Sequence, residues 1–162
     1  MDEGWIRKLY ARHGAMVYRR AKSLLGDEEA AWDVVQEVFV RAVRHRGAFR
    51  HHALPTTWLY RITTNYCFNQ LRDASRRREK LRQMPALSLR RDDPDLRLTL
   101  SVVLEQLPEQ LCEIAVYYHL DRMSHDEIAS LLGLSRRTVG NRLKEFQDRA
   151  QRLLGDSITL PA

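Results

Sequence analysis

Ser124-His125-Asp126-Glu127-Ile128-Ala129-Ser130-Leu131-Leu132-Gly133-Leu134-Ser135-Arg136-Arg137-Thr138-Val139-Gly140-Asn141 holds two helix starts and one helix stop. Ser124 with Glu127 three residues on is a capping box: the Ser side chain accepts from the Glu amide, and Glu reaches back. Ile128, Leu131 and Leu132 supply one apolar face. Gly133 can take the positive φ that ends a helix, Leu134 is the apolar residue of the turn, and Ser135 can cap the next helix. Val139, Leu143, Phe146, Ala150 and Leu153 then recur at intervals of four, three, four and three, a buried stripe. Small Ala129 allows close approach of the two helices. The pattern is a helix-turn-helix.

The same helical period extends outward over almost the whole chain, and no stretch alternates with period two. Ile6, Leu9, Tyr10, His13, Val17, Ala21 and Leu24 predict a first helix that stops at Gly26. Asp27 caps a second, with Glu28 and Glu29 in its positive first turn. Its stripe is Ala31, Val35, Val38 and Ala42, widened by Val34 and Phe39. A loop is expected from about His45 to Leu54. Pro55 suits the first turn of a third helix carrying Trp58, Leu59, Ile62, Tyr66 and Leu71. From Gln83 to Pro94 the period fails, and two prolines with paired charges read as a linker. Leu96, Leu100, Val103, Leu104 and Leu107 predict a fourth helix. Pro108 then starts a fifth, with Leu111, Ile114, Ala115, Tyr118 and Leu120 as its apolar side. The expected fold is all-α: two small helical domains, residues 1–82 and 95–162, joined by the short linker 83–94, the second containing the helix-turn-helix.

Composition narrows the function classes. The chain has 162 residues and a net charge of +6, enough for one domain or two small ones. That charge is uneven. Residues 1–82 hold 17 basic and 9 acidic side chains, and residues 83–162 hold 10 and 12. A surplus confined to one half points to a polyanion. Cys67 and Cys112 are the only cysteines, too few for a disulfide framework and not spaced as a metal motif. Reduced core thiols in a cytoplasmic protein are the expectation. Met1-Asp2-Glu3-Gly4-Trp5 lacks the apolar region of a signal peptide, and no apolar run approaches the roughly 18 residues of a membrane span. No clustered carboxylates, metal-ligand spacing or nucleophile–base motif points to catalysis, and His51-His52 reads as a polar loop pair. Neither metal nor cofactor is expected.

Two helices carry polar faces suited to nucleic acid. The last bears Arg136, Arg137, Gly140, Asn141 and Lys144 opposite its stripe, and Arg and Asn are well suited to base edges in the major groove. Glu145 and Asp148 put negative charge beside them. The third helix sets Trp58, Tyr60, Tyr66 and Phe68 beside Asn65, Asn69 and Gln70, then six basic residues from Arg72 to Arg82. Stacked aromatics hold unpaired bases at about 1–3 kcal/mol each, and a basic track holds the backbone. Trp58 and Tyr66 also lie on the apolar stripe, where packing in the core competes with that role. On the second helix, Asp33, Gln36, Glu37 and Arg41 surround the stripe. An outward Val34 or Val40 there favours a protein partner.

These residues resemble a family. Asp33-Val34-Val35-Gln36-Glu37-Val38-Phe39, Trp58-Leu59-Tyr60-Arg61-Ile62-Thr63-Thr64-Asn65, Leu107-Pro108-Glu109-Gln110 and the helix-turn-helix occur in the order found in the extracytoplasmic-function (ECF) class of bacterial sigma factors, over about residues 5–154. The resemblance implies a two-domain initiation factor that takes core RNA polymerase to promoter DNA, duplex and melted. It implies that Asp33, Gln36, Glu37 and Arg41 meet the clamp helices of the polymerase's largest subunit. Arg61, Asn65, Asn69, Arg72, Arg76 and Arg77 would lie at the minus-ten element, with Asn65 where the family captures an unstacked base. Arg136, Arg137, Thr138, Asn141 and Lys144 would read the minus-thirty-five element. Members are commonly held inactive by an anti-sigma factor, a second implied partner; a membrane is not one.

The chain departs from the family pattern at Gly140, where Lys or Arg is usual, and at Glu145, often basic. An atypical target, weak binding or contacts elsewhere would each accommodate this. A free-standing helix-turn-helix regulator would need dimer symmetry and paired half-sites, and no dimer helix stands out. A nucleic-acid enzyme would need the catalytic cluster that is missing.

Overall fold

The computed structural model describes residues 3–45, 47, 54–82 and 103–154, all helices and short connections without a strand among them. They fall into two compact units divided between Ala74 and Ser75. The expected linker 83–94, Leu96, Leu100, His51 and His52 lie outside the described residues.

In the N-terminal unit, α1 (Glu3–Leu25) and α2 (Glu28–Arg44) form a hairpin. Gly26 turns it with φ 69°, its amide donating to Lys22 O at 2.8 Å. Asp27 caps α2: the Ala30 amide donates to its Oδ1 at 2.7 Å, a bond worth about 1 kcal/mol. Lys22 pairs with Glu28 across the turn, and this hydrogen-bonded partner raises the lysine's pKa. Leu9, Val17, Ala21 and Leu24 close against Ala31, Val34, Val35, Val38, Phe39 and Ala42 as the core. Val34 therefore points inward, not toward a partner, because α2 is wrapped on the side where its two adjacent valines fall.

The third helix, α3 (Pro55–Arg82), begins at Pro55 as expected; Leu54 O accepts from the Thr57 amide at 2.9 Å. It buries Leu59, Thr63, Thr64, Cys67, Phe68 and Leu71. Two threonines in that row are tolerated because each hydroxyl donates one turn back, Thr63 to Leu59 O at 2.6 Å and Thr64 to Tyr60 O at 2.9 Å. Phe68 is fully buried, so it packs the core and cannot stack on a base. Burial pushes the Cys67 thiol up to about 12, which keeps it a protonated, unreactive core group.

In the C-terminal unit, residues 103–106 are helical and Val103, Leu104 and Leu107 are buried. Helix α4 (Glu109–His119) follows Pro108 and is buried without a break from Leu111 to Tyr117, as befits a central helix. Even Glu113 is inside, accepting from the Tyr117 hydroxyl at 2.9 Å. Leu120 is 43% exposed, off the apolar side expected of it, because α4 ends at His119 and the chain turns away through Arg122 at φ 56°. Helices α5 (His125–Leu132) and α6 (Arg136–Leu154) pack on each other and on α4. Val139, Leu143, Phe146 and Ala150 form the expected buried stripe, but Leu153 leaves it and is exposed.

Candidate functional site

Three surfaces carry polar or apolar side chains that the core does not use. The first is the outer face of α2. At about 100° per residue, Trp32, Val43, Gln36, Val40 and Asp33 fall within an arc of about 100° on the helix. All are exposed, Trp32 at 49%, Val40 at 41% and Val43 at 52%. Trp32 stacks on Tyr18 of α1 at 4.6 Å between centroids, and Tyr10 meets Phe39 edge-on at 5.1 Å. Large apolar groups gathered on an otherwise polar face make this a candidate docking surface. Glu37 and Arg41 sit at its edge. They pair at 2.6 Å, and the Arg41 guanidinium lies 4.6 Å over the Tyr66 ring of α3. Arg41 is thus tied into the unit, bridging α2 to α3.

The second surface lies on α3. Spacings of four, four, three and four bring Arg61, Asn65, Asn69, Arg72 and Arg76 onto one face, while Arg77 stands about 100° further round. Asn69 is exposed, and its Oδ1 accepts from Arg72 Nη1 at 3.4 Å. Asn65 is half-buried. Its Oδ1 is enclosed and has no hydrogen-bond partner among the described residues, an arrangement that costs about 1–3 kcal/mol. Tyr60 and Tyr66, unlike Phe68, keep partial exposure.

The third surface is α6 with the turn before it. The capping box is complete: Ser124 N and Oγ donate to Glu127 Oε2 at 2.7 and 2.8 Å, and the Glu127 amide donates to Ser124 Oγ at 3.3 Å. Those bonds hold the Glu127 carboxyl below its ordinary pKa. Gly133 has φ 65°, and Leu134 N donates to Ala129 O at 2.9 Å. Ser135 caps α6 by accepting from the Thr138 amide at 3.1 Å. The Thr138 hydroxyl shares a 2.8 Å bond with Ser135 Oγ, so it serves the cap.

Arg136, Arg137, Asn141 and Lys144 are all exposed. Arg136 lies 3.8 Å from Asp126, a solvent-exposed pair of little energetic weight. Glu145 is held by Arg149 at 2.6 Å, which offsets its charge beside the basic face. Gly140 is half-buried, and a Cβ built there meets the His125 imidazole at 3.8 Å. Its open side is therefore bounded by α5.

Comparison with known proteins places both units. The Sigma-70 region 2 model matches residues 9–77, and the Sigma-70 region 4 model matches residues 97–145. The ECF RNA polymerase sigma factor SigL of Mycobacterium tuberculosis is 30% identical over 155 residues, covering 91% of this chain and 87% of that protein. The chain belongs to the ECF sigma-factor family. SigM of the same species is 28% identical over 149 residues, covering 91% and 76%, and SigW of Bacillus subtilis is 27% identical over 156 residues, covering 86% and 83%. The sigma factor RpoE, solved in complex with the anti-sigma factor NepR from Bartonella quintana, shares the fold with a TM-score of 0.52. It is 19% identical, and the match covers 94% of this chain and 98% of that one.

For this sigma factor, sequence reasoning passed over Trp32 and Val43. The available signal was the helical projection of α2, which sets both within about 40° of Gln36 on the polar side. Among the described residues, no group of three or more His, Cys, Asp or Glu is placed to hold a metal ion, and no helix is long and apolar enough to cross a membrane.

Proposed function

We propose that this chain binds core RNA polymerase and directs it to selected promoters, melting the minus-ten element with its N-terminal unit and reading the minus-thirty-five element with its C-terminal one. The observation that carries this reading is the α2 face, where Trp32, Val40 and Val43 stand exposed beside Gln36 and Asp33 on the unit that also bears Arg61, Asn65, Asn69 and Arg72 of α3. A regulator acting without polymerase has no use for that face, and the region 2 match argues against the free-standing alternative. The polymerase contacts are Asp33, Gln36 and Glu37 with the apolar trio, and Arg41 shapes the edge of the face from its seat on Tyr66.

Opening DNA requires a protein that prefers unpaired bases, because only differential affinity moves an equilibrium. Extruding a base costs a few kcal/mol, which stacking and hydrogen bonds must offset. The unpartnered Asn65 acceptor supports a role in taking up such a base once the amide turns outward. Arg61, Asn69, Arg72 and Arg76 on the same face, with Arg77 beside them, supply sequence-independent affinity by counterion release. On α6, Arg136, Arg137, Asn141 and Lys144 face the upstream element, and Thr138 contributes through the cap.

The chain acts by binding, without a catalytic step or cofactor of its own, in the cytoplasm where the polymerase works. Its domains run over residues 1–82 and 95–162 with 83–94 between. By likeness to RpoE, which was solved with NepR, an anti-sigma factor is a further partner.

A binding titration of core polymerase with the full chain tests the reading. The Trp32→Ala and Gln36→Ala double variant, with helicity retained, should lose about tenfold or more in affinity, because buried Trp anchors commonly dominate interfaces. Unchanged affinity would remove α2 from the interface.

A further inference from the structure

Arg20 of α1 is 6% exposed, an uncommon place for a guanidinium. Its Nε donates to Thr64 Oγ1 of α3 at 3.2 Å, and its Cζ lies 4.5 Å over the Tyr60 ring. Thr64 passes the bond on, donating from the same hydroxyl to Tyr60 O at 2.9 Å. One side chain of α1 thereby clamps two positions one helical turn apart, and Asn65 follows Thr64 directly.

Burying an arginine is expensive unless its charge and donors are engaged. An apolar side chain would fill the same place, one turn after Val17 and beside Ala21, without that cost. The Arg20 Nε–H gives something a hydrocarbon cannot, a directional bond to Thr64 that constrains the rotation of α3 about its own axis.

We infer that Arg20 is a positioning residue for promoter melting: through Thr64 and Tyr60 it sets the angle at which Asn65 meets an unpaired base. The inference rests on the placement of melted DNA at α3. Lysine at position 20 keeps the charge but loses the planar fork and its stacking. Valine at position 64 keeps the shape of threonine but removes the acceptor. Tyr60→Phe retains the ring beneath the guanidinium.

The test uses holoenzyme assembled from core polymerase and the full chain, at a promoter mapped with that holoenzyme. It measures affinity for a single-stranded oligonucleotide of the non-template minus-ten strand, alongside affinity for core and for duplex upstream DNA. Arg20→Lys and Thr64→Val should each weaken single-strand binding about tenfold. The double variant should be no worse than the weaker single, since both break one bond. Core and upstream affinities should stay unchanged, which a general loss of folding would not allow. Unchanged single-strand binding in both variants, fully additive losses, or equal losses in core affinity would overturn the proposal. Asn65→Ala serves as the reference: if it binds the strand normally, the placement of melted DNA at Asn65 fails as well, whereas its loss beside unaffected Arg20→Lys and Thr64→Val removes the clamp alone.

Discussion

The polar side chains of α3 and α6 are held in opposite ways. On α3, Thr63 and Thr64 are buried, Asn65 half-buried, and the fixing bond comes from Arg20, 44 residues earlier. On α6, Arg136, Arg137, Asn141 and Lys144 are exposed, and the geometry is fixed by caps three residues away, Ser135 on Thr138 and Ser124 on Glu127. A surface that must distinguish paired from unpaired bases gains from rigidity, because ordering side chains on binding costs affinity. A surface that reads intact duplex can rely on long exposed side chains over a rigid stripe.

If this contrast holds, the largest effects come from the core beneath α3. Phe68→Ala should destabilise the N-terminal unit by about 3–5 kcal/mol in denaturant unfolding; a small effect would mean that Phe68 is not packed. On α6, Arg136→Ala or Asn141→Ala should cost about 1–3 kcal/mol in upstream-element binding and relax preference at one position. Neither should alter melting temperature, and a matching loss of stability would erase the difference between the two helices.

The helix-turn-helix was legible in the sequence because everything that builds it is local. The capping box, the Gly133 stop, and Val139, Leu143, Phe146 and Ala150 need only neighbours three or four residues away. Leu153 obeys the same spacing yet is exposed, since periodicity says nothing of where the covering helices end. Around α3 the sequence was less informative. Phe68 lies next in sequence to Asn69, and which of the two faces the core depends on α1 and α2. Arg20 sits three residues after Val17 and next to Ala21, on the buried side of α1, but nothing local names Thr64 as its partner. The α2 valines show both outcomes: Val34 faces inward and Val40 outward.

Smaller effects sharpen the contrast on the α6 side. Ser124→Ala should cost about 1 kcal/mol by removing the α5 cap. Because the cap lowers the Glu127 pKa, its contribution is present above the ordinary glutamate value and fades as pH falls through the depressed one. Unfolding followed from pH 7 down to pH 3 should show that acid-dependent loss in the parent chain and a shallower one in Ser124→Ala. Gly140→Ala should raise stability by up to about 1 kcal/mol, since a Cβ meets His125 at ordinary contact distance. A loss there would mean that α5 and α6 sit closer than the structure has them.

The central claim is that one chain supplies polymerase docking, melting and upstream reading together. Transcription by core polymerase on genomic DNA, with and without the full chain and with transcript starts mapped, tests it directly. Addition of the chain should create a defined set of starts sharing upstream and minus-ten elements, and Asn65→Ala should weaken those starts while leaving core binding intact. A start pattern that the chain leaves unchanged would contradict the account.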